Sequence, residues 1–230
     1  VEDFPDRYDF AAMRHHRWAR GDWQLLPWIR GFAAAPGAPR ASTRMPAIGR
    51  FKMVDNLRRT LSPGASLVSL WAGWLLPTPV AAIWTAFILG SFVVPPLIPA
   101  VASLAVRRPG VPLRARLHTV GGDLRLALQQ AALVTTLLAH QTWLMGDAIL
   151  RTLWRLCVSR RRLLEWVPAA QTASRLRFDL VSFYRRMAPA AGLGAATLAL
   201  GLFAEPGAVL LAVPFAALWL ASPAIAYQVS

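Results

Sequence analysis

From Gly64 to Val106 the chain carries no charged residue over 43 positions. A helix crossing a bilayer needs about 20 mostly apolar residues, so this run predicts two crossings. Pro77-Thr78-Pro79 is the natural turn, giving spans near 62–76 and 80–104. Ser62 as cap and Pro63 in the first turn would begin the first span, where a missing N–H costs nothing. Pro95, Pro96 and Pro99 should kink or break the second. Ala188 to Ala204 and Ala208 to Tyr227 are again apolar, with Glu205-Pro206-Gly207 between them, and predict a second hairpin. Its small residues Gly192, Gly194, Ala195 and Ala196 permit close helix approach.

Between the hairpins the pattern changes. Residues 107–187 carry fourteen arginines against Asp123, Asp147, Glu165 and Asp179. Leu124 to Met145 has the length of a span, but Arg125, Gln129, Gln130, His140 and Gln141 interrupt it, and each is costly at the bilayer centre. We therefore expect 120–166 to form amphipathic helices on the cytoplasmic face or against the spans, with Gly121-Gly122 as a turn. Arg50 to Thr60 places Phe51, Val54 and Leu57 on one side and Lys52, Asn56 and Arg59 on the other, the pattern of a helix lying in the membrane plane. At the start, Asp9 suits the N-cap of a helix that Gly21-Asp22 should break, with Trp23 to Trp28 continuing as a short apolar piece. Residues 31–47, rich in Gly, Ala and Pro with Arg40 and Arg44, read as a flexible loop.

These elements predict an all-α membrane protein of two transmembrane hairpins with interfacial and cytoplasmic amphipathic helices. Its parts would be 1–60 (interfacial helices and loop), 61–106 (first hairpin), 107–187 (basic cytoplasmic helices) and 188–230 (second hairpin). Both outer turns are nearly free of basic residues and both inner segments are rich in them, as the orientation bias of membrane proteins requires.

Composition sharpens this picture. The formal charge of +14 comes from 25 basic residues, all arginine except Lys52, in a chain that is 56% hydrophobic. A basic surplus alternating with long apolar runs is membrane-flanking charge, not a nucleic-acid surface, so no nucleic-acid partner is expected. Cys157 stands alone, which excludes an intrachain disulfide and a cysteine-based zinc cluster. The opening Val-Glu-Asp-Phe has no basic-then-apolar leader and reads as internal to a longer chain.

The densest chemistry is Arg14-His15-His16-Arg17-Trp18-Ala19-Arg20-Gly21-Asp22-Trp23-Gln24. On a helix Arg14, Arg17 and Trp18 share one face, offering fixed positive charge for phosphate and an indole for stacking on a sugar ring. The same residues suit a basic helix lying on anionic lipid, with tryptophans at the interface. Arg-x-x-Arg-Trp resembles the Gln-x-x-Arg-Trp signature of processive membrane glycosyltransferases such as cellulose and hyaluronan synthases. The longer run His16 to Trp28 is more narrowly similar to the bacterial cyclic β-1,2-glucan synthases. Ile48 to Arg59 and Ala139 to Ala148 continue the likeness, in the right order. Arg14 departs from the wider class, which has Gln there.

That resemblance implies a glycosyltransferase with a UDP-glucose donor and a β-1,2-glucan product, multi-pass in an inner membrane. Arg17 would bind the diphosphate and Trp18 would stack under the terminal glucose. Arg14, Arg20, Asp22 and Trp23 are supporting candidates, interfacial anchoring being the plainer role for Trp23. It also implies a divalent metal (Mg or Mn) whose ligands, with the catalytic base, lie in an upstream domain, and a possible phosphorylase-like domain downstream. No Asp-x-Asp occurs in these 230 residues, so we expect no catalytic residue and no metal ligand here, and no transfer by this piece alone. His15 and His16 are adjacent and cannot chelate one metal as an i, i+4 pair would. The alternative is a non-catalytic membrane anchor or transporter-like protein, the transporter being disfavoured because the proposed spans hold no ionisable residue.

Overall fold

A computed structural model describes residues 7–29, 46–105, 113–161 and 178–230. Among them every regular element is helical. The chain divides into two compact units, one of Val1–Ala65, Ala139–Ala190 and Ala221–Ser230, the other of Ser66–Leu138 and Ala191–Leu220. The helices are α1 (Tyr8–Gln24), α2 (Leu26–Ile29), α3 (Ala47–Trp74), α4 (Thr78–Ala105), α5 (Leu113–Trp154), α6 (Leu180–Arg186), α7 (Ala188–Leu200) and α8 (Pro206–Gln228). The expected loop at 31–47 lies almost wholly outside the described residues, as do Arg107, Arg108, Arg162 and Glu165.

Both hairpin turns fall where the apolar pattern is interrupted. α3 ends at Trp74 and α4 begins at Thr78, and a single 3-10 turn (Gly201–Phe203) separates α7 from α8. In the second unit Trp74, Phe215 and Trp219 meet with ring centroids 5.1 to 6.4 Å apart. A buried indole N–H needs a partner, and each finds one. Trp74 donates to Thr85 Oγ1 at 3.0 Å, Trp219 to the Thr135 carbonyl at 2.9 Å, and Trp71 to Thr197 Oγ1 at 2.9 Å. Gly194 is the close approach that the small residues forecast, since a Cβ there would lie 3.2 Å from the Ala216 carbonyl oxygen. Gly192 meets nothing.

Two described helices are long and apolar enough to cross a membrane, Thr78–Ile98 within α4 and Pro206–Gln228. On α4, Ile83, Phe87, Val94 and Ile98 are exposed, the reverse of a soluble core helix. Four crossings were expected and the other two differ. α7 has 13 residues, about 20 Å of helix against a core of about 30 Å. Residues 62–74 are the end of α3 and not a helix of their own.

Several local expectations are corrected. Ser62-Pro63 starts nothing, because Pro63 lies inside α3. An interior proline costs about 3 kcal/mol, but the preceding turn is held from outside by buried Leu57 and by Trp23 bonded to Thr60. α4 likewise runs unbroken through Pro95, Pro96 and Pro99; an apolar setting offers the freed carbonyls no better alternative than helix. Gly121-Gly122 is no turn but part of the 42-residue α5. Gly21-Asp22 does not break α1 either. The propensity cost of one glycine is about 1 kcal/mol, and α1 is docked on both sides of it by Ala19, Asp22 and Trp23. Asp9 is not the cap. Arg7 holds that position, and Asp9 is buried in the first turn between Arg7 and Arg186.

Candidate functional site

The first unit holds a cavity of about 680 Å³, within the usual range for a small-ligand pocket. α1 contributes His15, Arg17, Trp18, Ala19, Gly21 and Asp22 to its wall. α3 adds Asn56, Arg59, Thr60 and Pro63, and α5 adds Gln141 and Met145. Helical spacing explains the α1 set: Trp18 and Asp22 are four apart and stack along one face, with Arg17 and Gly21 beside them.

Trp18 is 56% exposed, so most of its indole is open as a platform. The Arg14 guanidinium sits 5.6 Å from its ring centroid and the His15 ring 5.9 Å away, tilted by 36°. Desolvation, and then the charge of Arg14, hold His15 below its usual pKa, so the ring beside the indole is neutral at pH 7.

His16, Ala19, Asp22 and Trp23 set the second half of α1 against α3 and α5. Ala19 is buried with Met145 and Ala148. Trp23 Nε1 donates to Thr60 Oγ1 at 2.9 Å, and that hydroxyl donates to the Leu57 carbonyl at 2.7 Å. Asn56 Nδ2 donates to Asp22 Oδ1 at 3.1 Å. His16 Nε2 lies 2.9 Å from Asp147 Oδ2, while Arg151 Nε donates to Asp147 Oδ1 at 2.6 Å. Partial burial works to raise the Asp147 pKa, but the hydrogen bonds from Arg151 and His16 outweigh it and the carboxyl titrates below its usual range.

At the start of α1, the Tyr8 phenol oxygen is 2.7 Å from His140 Nδ1 and accepts from Gln141 Nε2 at 3.0 Å. Burial raises the Tyr8 pKa, with the Gln141 bond opposing weakly, and lowers that of His140 to about 4. Both groups are therefore neutral at pH 7. A phenol proton donated to His140 Nδ1 places the neutral ring's own proton on Nε2.

The sign of the pH effect follows. Below about 6.5 the unfolded chain takes up a proton on His140 that the fold refuses, so stability falls as pH drops from about 6.5 to about 4 and levels off below. The full loss is roughly 3 kcal/mol. Thermal unfolding of the purified protein between pH 7 and pH 4 should show this slope, flattened in His140→Gln. An identical slope in the variant would assign the effect elsewhere.

Of the residues singled out in the sequence, Arg17, Trp18 and Asp22 are brought together in the cavity wall. Arg14 packs on Trp18 from outside it. Arg20 is half-buried on α1 and outside the lining. Trp23 is turned to α3 by its bond to Thr60 and lies outside the lining too. Asn56, Arg59, Thr60 and Gln141 were not foreseen as site residues. A signal for three of them was present: Asn56, Arg59 and Gln141 lie in the second and third stretches of family likeness. Among the described residues no three His, Cys, Asp or Glu side chains are grouped to hold a metal ion.

No protein-family model matches the chain. The chain is 43% identical over its whole length to the cyclic beta-(1,2)-glucan synthase NdvB of Rhizobium meliloti (strain 1021). It is related to the cyclic β-(1,2)-glucan synthases. It spans 8% of that relative's length, so it corresponds to one segment of a much larger synthase. The match extends over all three parts of the cavity wall, because it leaves no part of the chain out.

Proposed function

We propose that this chain is the membrane part of a processive glycosyltransferase making cyclic β-1,2-glucan from UDP-glucose, and that its cavity receives the acceptor and diphosphate end of the reaction. One observation carries the reading. Three stretches far apart in sequence, each resembling the synthases, line a single cavity with an open indole and two arginines. Trp18 stacks under the terminal glucose, and the indole face suits the apolar C–H face of a pyranose. Arg17, with Arg59 across the cavity, lowers the cost of charge building on the departing diphosphate. Transfer itself needs the base and the Mg or Mn site of an upstream domain, so this segment alone is inactive; a phosphorylase-like domain follows downstream. The exposed apolar side of α4 faces lipid, and the arginine-rich segments lie on the cytoplasmic side of an inner membrane.

A non-catalytic anchor needs apolar helices but no particular arginine at position 17. Arg17→Gln in the full-length protein is expected to lower glucan synthesis in isolated membranes about tenfold or more, the loss of one charge-assisted hydrogen bond. Synthesis at the unaltered rate, with equal protein in the membrane, would favour the anchor.

A further inference from the structure

An indole platform accepts almost any pyranose, because stacking reads a flat C–H face and not the hydroxyls at the ring's edge. Discrimination needs polar groups held rigidly beside the platform. We propose that Asp22, Asn56 and Gln141 are those groups: they read the hydroxyls of the sugar stacked on Trp18 and decide which sugar end the cavity takes. This rests on the cavity receiving a glucan end, as set out above.

The placement supports the role from three sides. Asp22 lies one helical turn beyond Trp18 on α1, so its carboxylate stands at the platform's edge. A carboxylate accepts from two hydroxyls, a pattern common to the vicinal diols of a sugar. Asn56 on α3 donates to Asp22 Oδ1 at 3.1 Å, which orients the carboxylate and binds the two helices around the sugar's position. Gln141 on α5 spends its Nε2 on the Tyr8 phenol at 3.0 Å, which leaves its carbonyl oxygen as an acceptor in the cavity wall. Tyr8 is in turn locked by His140 at 2.7 Å. None of the three side chains is needed to hold a metal or to carry the diphosphate, and all three border the same space as Trp18. Hydrogen bonding to an oriented acceptor also penalises the wrong ligand, since a missing hydroxyl forfeits one charge-assisted hydrogen bond to the carboxylate.

The test uses purified full-length protein and two probes, a β-1,2-linked glucotriose and the same trisaccharide with one hydroxyl of its terminal glucose removed, over the set of singly deoxygenated analogues. Unaltered protein is expected to bind the parent at least about tenfold tighter than one or more analogues, as one charge-assisted hydrogen bond implies. Asp22→Asn and Asn56→Ala should reduce that ratio to threefold or less, chiefly by weakening the parent. Gln141→Glu should alter it at a different hydroxyl. Trp18→Ala should weaken parent and analogues alike and leave the ratio intact. Ratios unchanged in all three edge variants, with Trp18→Ala still weakening both probes, would overturn this proposal and leave the cavity reading standing. Trp18→Ala without effect on either probe, or no binding by unaltered protein, would overturn the cavity reading itself. Asn56→Ala guards against an unfolded Asp22 variant, because Asn56 is on a separate helix and its amide makes an exposed contact.

Discussion

Full-length protein carrying Trp18→Ala is expected to lose about 30-fold or more of its glucan elongation, the effect of removing an aromatic anchor worth about 2 kcal/mol or more. Incorporation of labelled glucose from UDP-glucose by isolated membranes measures it, normalised to the amount of protein present. The loss should come without unfolding, because Trp18 is more exposed than buried and supports no core. Ala19, its neighbour, holds the helix down and is untouched by the change. Trp18→Phe should retain part of the activity, since a phenyl face stacks but covers less of a pyranose. Elongation at the normal rate in Trp18→Ala would remove the indole from the reaction and with it the reason for reading the cavity as a glucan site.

Asp9→Ala is expected to destabilise the first unit by roughly 3 to 5 kcal/mol, the cost of leaving buried charge without its partner. The Asp9 side chain is 8% exposed and accepts from Arg7 Nη2 at 2.6 Å, Arg7 Nε at 3.1 Å, Arg186 Nη1 at 2.6 Å and the Phe10 N–H at 2.9 Å. The two guanidinium groups lie over aromatic rings, Arg7 at 4.4 Å from Phe10 and 4.5 Å from Phe178, Arg186 at 5.0 Å from Phe183. With the carboxylate gone, both cations remain among those rings and repel each other. Thermal unfolding in detergent reads the loss, and Asp9→Asn should fall between, keeping hydrogen bonds while losing charge. A change below about 1 kcal/mol would mean that solvent screens the cluster as it does a surface pair.

These two residues show how unevenly the site could be read in advance. Trp18 announces itself, because an arginine–tryptophan run before an apolar chain has few uses, and family likeness names one. Asp9 looked like a helix cap because capping depends only on neighbours in sequence. Its actual partner Arg186 is 177 positions away, and no local rule reaches that far. Trp23 illustrates the same limit from the other side. Five residues on from Trp18 it shared the candidate role, but five helical steps of about 100 degrees each set the two side chains about 140 degrees apart around α1, and the Trp23 N–H goes to Thr60. Asn56 reads in the sequence as part of a helix's polar side and Gln141 as a polar interruption of an apolar run, since a lone amide carries no site chemistry until its surroundings are known.

By itself the sequence determined the helical class, the two apolar hairpin turns, the basic segment between them and the kinship with β-1,2-glucan synthases. Each of those depends on composition, periodicity or residue order, which survive without a third dimension. Tertiary structure alone decided where helices stop and which side chains share a space. α3 passes through Pro63 and α1 through Gly21 because docking of the helix on its neighbours outweighs a local cost of about 1 to 3 kcal/mol. The cavity exists for the same reason: packing brought residues 18, 56 and 141 to one place, and packing is a property of the folded chain.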